Sequence, residues 1–313
     1  MERRVVTVFG GSGFIGRCLV QKLAAEGWIV RVAVRRPGPA AFLRMFGDPG
    51  QVVPVAADVA DRPSVASAVA GAEAVINLVG ILFSSGRRFT FQKVHVEGAA
   101  NVAQAAREAG VARLVHMSAI GADPDSPAEY ARTKAGGEQA VLQTFPGASI
   151  VRPSIVFGPE DAFFNKFAGM TRISPILPVF ETKFQPVYVG DVADAFLRIL
   201  ADPSTSGKTY ELGGPRVVSF RECMELMLRE IRRDRMLLPL PLGLAEVQGW
   251  FLEKLPTPPL TRDQVKLLSR DNVVSPGALT LNDLGIEPTD LEAVLPTYLD
   301  RFRPQAKRRR ASV

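Results

Sequence analysis

Short apolar runs alternate with longer segments of helical periodicity through the first half of the chain. This alternation is typical of βαβ units, and the apolar character of the runs predicts a parallel sheet covered by helices on both sides. The predicted strands are Val5 to Phe9, Ile29 to Val34, Val52 to Ala56, Ala74 to Leu78, Arg113 to Met117 and Ser149 to Arg152. The predicted helices between them include Gly13 to Glu26, Ser64 to Ala70, Phe91 to Ala109 and Tyr130 to Phe145.

The pattern loosens after Val156, where prolines and phenylalanines become frequent. A chain of 313 residues can bury one large core and a smaller one. We therefore predict an α/β fold with a doubly wound parallel (Rossmann) sheet and a smaller, irregular C-terminal lobe on the substrate side. A strand and helix around Pro186 to Leu200 are expected to return to the main sheet. The predicted division is a nucleotide-binding domain at 1–155, a mixed lobe at 156–300, in which about 185–215 return to the sheet, and a basic tail at 301–313.

A glycine-rich segment follows the first predicted strand and opens the first predicted helix. Gly10, Gly13 and Gly16 stand where the chain must turn tightly and where the backbone must approach a pyrophosphate closely. The helix that follows offers free N–H groups and the positive end of its dipole to phosphates. We therefore expect a dinucleotide to bind at Gly10, Gly11, Ser12, Gly13, Phe14, Ile15 and Gly16.

The ends of the next strands indicate which dinucleotide is bound. Arg35 and Arg36 stand where an NAD-preferring site usually carries an acidic residue for the ribose 2′-hydroxyl. Guanidinium groups pair with a 2′-phosphate, so the pair favours NADP(H), although one arginine could simply point into solvent. After the third strand, Asp58 and Val59 suit the adenine edge. After the fourth strand, we expect the nicotinamide side to run along Leu78, Val79 and Gly80.

Several motifs in order resemble those of the extended or atypical short-chain dehydrogenases/reductases. They are the glycine loop, Asn77 to Gly80, Tyr130 to Lys134, Arg152 to Pro159 and Gln185 to Ala193. The resemblance implies an epimerase/dehydratase-like oxidoreductase fold and a cofactor contact at Pro153. It also implies that Tyr130, with a lowered pKa, exchanges a proton and that Lys134 lowers this pKa and holds the ribose. Four residues apart on a helix, the two side chains share one face.

Two positions depart from that family's pattern. Aligning the fifth strand on its apolar residues places Ala119, rather than Ser118, at the position of the family's substrate-orienting hydroxyl. Because side chains alternate along a strand, Ser118 would point the other way unless the backbone kinks. His95 stands where the family has an Asn in its proton relay. It could titrate near neutrality or be a hydrogen-bonded core histidine.

Further segments resemble one branch of that group, the nucleotide-binding accessory subunits of respiratory complex I and their bacterial relatives. These segments are Val151 to Phe164, Asn165 to Ala168, Gln185 to Val192 and Leu238 to Leu242. The resemblance implies a tightly held NADPH in a structural role and, as partners, subunits of the peripheral arm near the membrane.

Two alternatives to this function remain. One is an active NADP(H)-dependent oxidoreductase or epimerase acting on a quinone-pathway intermediate or a nucleotide sugar. The other is a redox-sensing regulator.

Charge is concentrated at the end of the chain. The net charge is +6, with 38 basic and 32 acidic residues. The excess comes from Arg301, Arg303, Lys307, Arg308, Arg309 and Arg310. A neutral body argues against nucleic acid as a partner, since a nucleic-acid site needs a basic face on the folded domain. The tail could meet anionic lipid or an acidic partner, or be a solvated disordered segment.

The remaining features bear on location. Cys18 and Cys223 lack metal-ligand spacing, so we expect no metal site and two reduced cysteines in a cytosol-like compartment. The chain opens directly into a strand without a targeting segment. We therefore expect a cytoplasmic protein, peripheral on the inner face of a bacterial cytoplasmic membrane.

The apolar segment Met236 to Leu260 is broken by prolines, and it could be a lid, a docking surface or a small core.

Overall fold

A parallel seven-stranded sheet forms the centre of the computed structural model, which describes residues 4–256 and 258–304. The strands in chain order are β1 (Val5–Phe9), β2 (Ile29–Val34), β3 (Val52–Ala56), β4 (Ala74–Asn77), β5 (Arg113–Met117), β6 (Ser149–Pro153), β7 (Val156–Phe157), β8 (Ile176–Val179), β9 (Lys183–Phe184), β10 (Val187–Tyr188), β11 (Thr209–Leu212), β12 (Val218–Ser219) and β13 (Met236–Pro239). The main sheet has the order β11-β6-β5-β4-β1-β2-β3, with every neighbouring pair parallel. The predicted Rossmann-type fold class is confirmed.

Helices cover both faces of this sheet. They are α1 (Phe14–Ala25), α2 (Arg62–Val69), α3 (Gly98–Glu108), α4 (Glu129–Thr144), α5 (Phe164–Met170), α6 (Val189–Ala201), α7 (Phe220–Glu230), α8 (Leu242–Leu252), α9 (Arg262–Leu267), α10 (Leu291–Val294) and α11 (Pro296–Leu299). On β1, Val6 and Val8 pack with α1 and α6, whereas Phe9 packs with α2 and α3 on the opposite face. Alternate side chains of one strand thus serve two separate cores.

The predicted helix from Phe91 to Ala109 has two parts. Gln92–Glu97 winds as a π-helix and continues directly into α3. Next to this wide turn, α4 passes so closely that a Cβ on Gly137 would lie 2.2 Å from the carbonyl oxygen of His95. Hydrophobic periodicity does not reveal such a turn, because the apolar residues keep one buried face throughout.

The return of the chain to the main sheet differs from the prediction. The strand near Pro186 is β10, and it pairs with β7 outside the main sheet. The predicted helix, α6, does pack into the core of the sheet, and the strand that joins the main sheet is β11, which pairs with β6. The difference arises because a run of apolar residues marks a strand but does not identify its pairing partner.

A second core, rich in phenylalanine, lies in the C-terminal half. Its centre includes Phe157, Phe164 and Phe220, packed with residues of α7 and α11. On this separation of the two cores we propose the domain boundary near residue 155.

Of the predicted basic tail, Lys307 and Arg308 to Arg310 lie outside the described residues. Among residues 4–256 and 258–304, none of the helices has the length and hydropathy needed to cross a bilayer.

A buried hydrogen bond connects α11 to this second core. The hydroxyl of Tyr298 donates to Oδ2 of Asp161 at 2.5 Å. The same carboxylate accepts the backbone N–H groups of Gly158 and Asn165. Burial raises the pKa of Asp161, and burial beside that carboxyl raises the pKa of Tyr298. The pair thus joins α11 to the loop after β7.

Replacing Tyr298 with Phe should lower the free energy of unfolding by about 1–3 kcal/mol, because a buried carboxyl group loses a donor that water cannot replace. Urea denaturation followed by far-UV circular dichroism measures the change. Tyr210→Phe is the matched control, since Tyr210 is also buried and no hydrogen bond of its hydroxyl is seen among the described residues. Equal stability of the two variants would contradict the assigned role.

Candidate functional site

The junction between β1 and α1 is built around glycines. Gly10 has a φ of 78°, a conformation that favours glycine. A Cβ on Gly16 would lie 2.4 Å from the carbonyl oxygen of Gly10 and 2.6 Å from the Cα of Gly11. The N-cap of α1 is Gly13, so no side chain caps the first turn of the helix. The first-turn N–H groups therefore remain available to an anion such as a pyrophosphate.

Beside this loop lies a cleft of about 430 Å³. Ten of the predicted cofactor residues line it: Gly10, Ser12, Gly13, Arg35, Arg36, Asp58, Val59, Leu78, Val79 and Gly80. They come from the loops after β1, β2, β3 and β4, at the carboxyl edge of the sheet. This is the edge at which open α/β sheets bind ligands.

Other predicted cofactor residues are not among those that line the cleft. A Cβ on Gly11 would meet Val32 at 2.9 Å, and Ile15 packs into the core beneath the loop. The ring of Phe14 lies against Gly158. Pro153 is buried at the end of β6, where its carbonyl accepts the N–H of Ile120. None of these four residues therefore lines the cleft in this structure.

Ten further residues line the cleft, and two of them, Arg88 and Phe89, stand out by their contacts with predicted site residues. Arg88 forms an ion pair with Asp58 at 3.1 Å, and the guanidinium carbon of Arg35 lies 4.6 Å from the ring centroid of Phe89. Both residues belong to the loop after β4, whose Ser85 N–H donates to the carbonyl of Phe89 at 2.8 Å. Adjacent basic and aromatic residues soon after Gly80 were the available signal. The sequence does not show that this loop folds back over the ends of β2 and β3.

Lys134 is buried next to the Gly80 end of the cleft, although it is not itself one of the residues that line the cleft. Its ammonium group donates to the carbonyl of Met117 at 2.8 Å, and a Cβ on Gly80 would lie 3.8 Å from it. Burial lowers the pKa of Lys134 to about 8, and Glu138 only partly opposes this. The amine therefore keeps most of its charge at neutral pH while lying beside a glycine that lines the cleft.

Tyr130 lies close to the same end, with its ring centroid 5.4 Å from that of His95 and 6.0 Å from that of Phe91. The resemblance implied a lowered pKa, but burial raises the pKa of Tyr130 to about 12. Burial is the only influence on this pKa in the described structure, and the proton-exchanging role of Tyr130 stays a prediction. The amine of Lys134 donates to a backbone carbonyl instead of the phenol, and an apolar surrounding disfavours the phenolate.

One of the two departures from the family pattern, His95, is buried. Nε2 of His95 accepts the N–H of Ile81 at 3.0 Å, so Nδ1 carries the proton and donates to Oγ1 of Thr133 at 3.0 Å. Burial, with the charge of Lys134 nearby, lowers the pKa of His95 to about 3. It is therefore a neutral, hydrogen-bonded core histidine.

Ser118 is buried, and among residues 4–256 and 258–304 its hydroxyl has no hydrogen-bond partner. Its backbone N–H donates to the carbonyl of Val151 in β6 at 2.7 Å, so the pairing of β5 with β6 extends to Ser118. Ser118 does not line the cleft. The next residue, Ala119, is half-buried, whereas Ser118 is fully buried. The structure therefore does not bring Ser118 together with Tyr130 and Lys134 as a hydrogen-bonded triad.

Comparisons with known proteins agree with this geometry. A family model described as NAD(P)H-binding matches residues 10–156. A dTDP-glucose 4,6-dehydratase from Streptomyces venezuelae, solved with NAD bound, has a TM-score of 0.74 at 20% identity, covering 95% of this chain and 96% of its own. Fold and site together define a Rossmann-type, nicotinamide-nucleotide-binding protein with the architecture of the extended short-chain dehydrogenases/reductases.

Two relatives identify the family more closely. The chain is 36% identical to the mitochondrial NADH-ubiquinone oxidoreductase 40 kDa subunit of Neurospora crassa, over 96% of this chain and 80% of the relative. It is 38% identical to the mitochondrial NADH dehydrogenase [ubiquinone] 1 alpha subcomplex subunit 9 of Arabidopsis thaliana, over 96% of this chain and 78% of the relative. The chain belongs to the family of these complex I subunits, as the sequence motifs predicted.

Replacing both Arg35 and Arg36 with Ala should weaken NADPH binding at least tenfold and NADH binding much less. The 2′-phosphate would lose charge-assisted hydrogen bonds, each of which contributes about 1.5–3 kcal/mol. Titration of nicotinamide fluorescence measures both affinities. Arg44→Ala is the control, because Arg44 is exposed and does not line the cleft. An equal loss for NADPH and NADH would contradict recognition of the 2′-phosphate.

Proposed function

We propose that this protein is an NADP(H)-binding accessory or assembly subunit of respiratory complex I, in which the cofactor has a structural role. The observation that carries the proposal is a contrast within one site. Ten of the residues expected to bind a dinucleotide line the cleft, but the groups expected to transfer a proton do not form a connected chain. In particular, Ala119 stands at the hydroxyl position and the phenol of Tyr130 has a raised pKa.

The residues present suit an NADP(H) molecule. Glycines at 10, 13 and 16 and the uncapped first turn of α1 would hold the pyrophosphate. Arg35 and Arg36 would pair with the 2′-phosphate. Lys134 and Tyr130 would contact the nicotinamide ribose. When bound, the cofactor could supply hydride chemistry, but it would also stabilise the fold by mass action, which is the role proposed here.

The experiment that tests the proposal is co-migration. Tagged at its native level and released with mild detergent, the protein should run with NADH:quinone oxidoreductase, and the isolated band should release NADPH on denaturation. In the same assay, Tyr130→Phe should leave the association with NADH:quinone oxidoreductase intact, because the proposed role needs no proton transfer from the phenol. A soluble species that runs alone, or a protein whose reductase activity is abolished by Tyr130→Phe, would favour the alternative, an active oxidoreductase or epimerase.

We further propose that one face of the C-terminal lobe rests on an anionic membrane surface. The face comprises an apolar edge, formed by Ile173, Ile176, Met236 and Leu238, and the exposed apolar side chains of α8, which are Leu242, Leu244, Val247, Trp250 and Phe251. Ile173 is 92% exposed and Met236 is 64% exposed. Ile176 and Met236 are direct partners in the β8–β13 pair, so their side chains lie together.

Basic groups border this apolar edge. Arg233 donates to the carbonyl of Phe302 and Arg235 to that of Thr171, while Arg172 lies 4.9 Å from the ring of Phe302. The described chain therefore ends close to the edge, and the sequence that follows contains Lys307 and Arg308 to Arg310. An apolar surface bordered by cations has the chemistry of an interfacial site on anionic lipid. The proposed location is the inner face of the bacterial cytoplasmic membrane.

Flotation with vesicles of phosphatidylglycerol and phosphatidylcholine tests this face. We expect the full chain to float with them and Ile173→Glu to float less, because a carboxylate would enter an anionic interface. Removal of residues 305–313 should also reduce flotation, and high salt should weaken what remains. Met45→Glu is the control, since Met45 is 80% exposed and lies in the nucleotide-binding half. If the full chain does not bind these vesicles, the membrane proposal is wrong.

A further inference from the structure

Helix α4, which carries Tyr130 and Lys134, receives its N-terminal cap from a distant part of the chain. Its own N-cap residue, Ala128, has no side-chain acceptor. The carboxylate of Asp263 in α9 accepts the backbone N–H of Glu129 at 2.6 Å and that of Tyr130 at 3.0 Å. A negative charge at this end also suits the dipole of a 16-residue helix. The first turn of the helix beside the cleft is thus fixed by the C-terminal lobe.

The segment that follows Asp263 makes further contacts with the nucleotide-binding half. Arg270 forms an ion pair with Asp123 at 2.7 Å. Asn272 donates from Nδ2 to the carbonyl of Ile120, and its Oδ1 accepts the hydroxyl of Ser154 at 2.7 Å. Residues 261–272 therefore form a strap that contacts the loops after β5 and β6 as well as the start of α4. All these contacts lie near the carboxyl edge of the sheet.

The strap is joined to the exposed helix α8. A Cβ on Gly249 would lie 3.0 Å from the backbone nitrogen of Arg262, so the two helices touch there. Arg262 also forms an ion pair with Glu253 at 2.6 Å, immediately after α8. On its other side, α8 exposes apolar side chains that include Val247 and Phe251. One short hairpin, described by residues 242–256 and 258–267, thus has an apolar outer face and a polar tip that caps α4.

We propose that this α8–α9 hairpin couples cofactor binding to the exposed face of the C-terminal lobe, with Asp263 as the positioning residue. The inference rests on the NADP(H) site proposed above. When Asp263 caps α4, the first turn is ordered before the cofactor arrives, which favours binding at Tyr130 and Lys134. Bound cofactor orders α4 in return and so favours the docked hairpin. By thermodynamic linkage, an interaction that stabilises the docked hairpin also increases the affinity for NADPH. The increase equals the factor by which bound NADPH favours docking of the hairpin.

Amide hydrogen exchange of the full chain, with and without NADPH, tests the coupling. We expect NADPH to slow exchange in residues 10–16, in residues 128–132 and in the hairpin. In Asp263→Ala, protection of residues 10–16 should persist and protection of the hairpin should be lost. NADPH affinity in this variant should fall about fivefold, the effect expected from losing an N-cap. Asp263→Asn, which keeps an acceptor oxygen, should recover part of the affinity.

Asp125→Ala is the matched control, because Asp125 is an exposed acid in the loop before α4, outside the strap. The coupling is wrong if NADPH protects residues 10–16 of the unmodified protein but leaves its hairpin unchanged. It is also wrong if Asp263→Ala binds NADPH as tightly as the control. Should Asp263→Ala not fold, the unmodified protein and Asp263→Asn still decide the question. Failure of the unmodified protein to bind NADPH would overturn the proposed function itself.

Discussion

The close contact between the start of α1 and the glycine loop sets the geometry of the nucleotide-binding half. No Cβ can be accommodated at Gly16, because the Gly10 carbonyl oxygen would be 2.4 Å away. This contact brings the helix down onto β1, so that Leu19 and Leu23 can pack against Val6 and Val8. It also directs the uncapped N–H groups of the first turn toward the cleft. Core packing and anion binding therefore depend on the same backbone approach.

The electrostatics of the cleft differ between its two ends. At one end the lining residues include Arg35, Arg36 and Arg88, and the only carboxylate there among the described residues, that of Asp58, is paired with Arg88. Next to the other end, at residues that do not themselves line the cleft, burial lowers the pKa of Lys134 and of His95 and raises that of Tyr130. The first end suits a highly charged phosphate group. The second suits a ribose and a nicotinamide ring, which gain more from shape and hydrogen bonding than from charge. These differences support the structural role that is proposed for the cofactor.

The C-terminal lobe has a part in the site although it contributes none of the residues that line the cleft. Its phenylalanine-rich core holds α7 and the end of the chain, and its strap reaches the loops after β5 and β6. The Asp263 cap fixes the start of α4 from outside the nucleotide-binding half, and the ion pair and amide contacts of the strap are made to the neighbouring loops. The order of that helix, and hence of Lys134, depends on contacts between residues far apart in sequence.

The sequence alone determined the features that depend on local residue order. The bounds predicted for β1, β2, β3 and β5 are those found, because each is a short apolar run bounded by polar or turn residues. The glycine loop and the two arginines were also predictable, since the required residue types are adjacent. Their binding roles remain predictions, although ten of the residues concerned line one cleft.

Only the tertiary structure decided how distant segments meet. It placed β10 beside β7, turned the loop with Arg88 and Phe89 over the cleft, and buried His95 with both ring nitrogens bonded. It also brought Asp263 to the N-terminus of α4, 134 positions away from Glu129. Periodicity reports which face of an element is buried, but the partner of a capping carboxylate is chosen by the packing of whole helices.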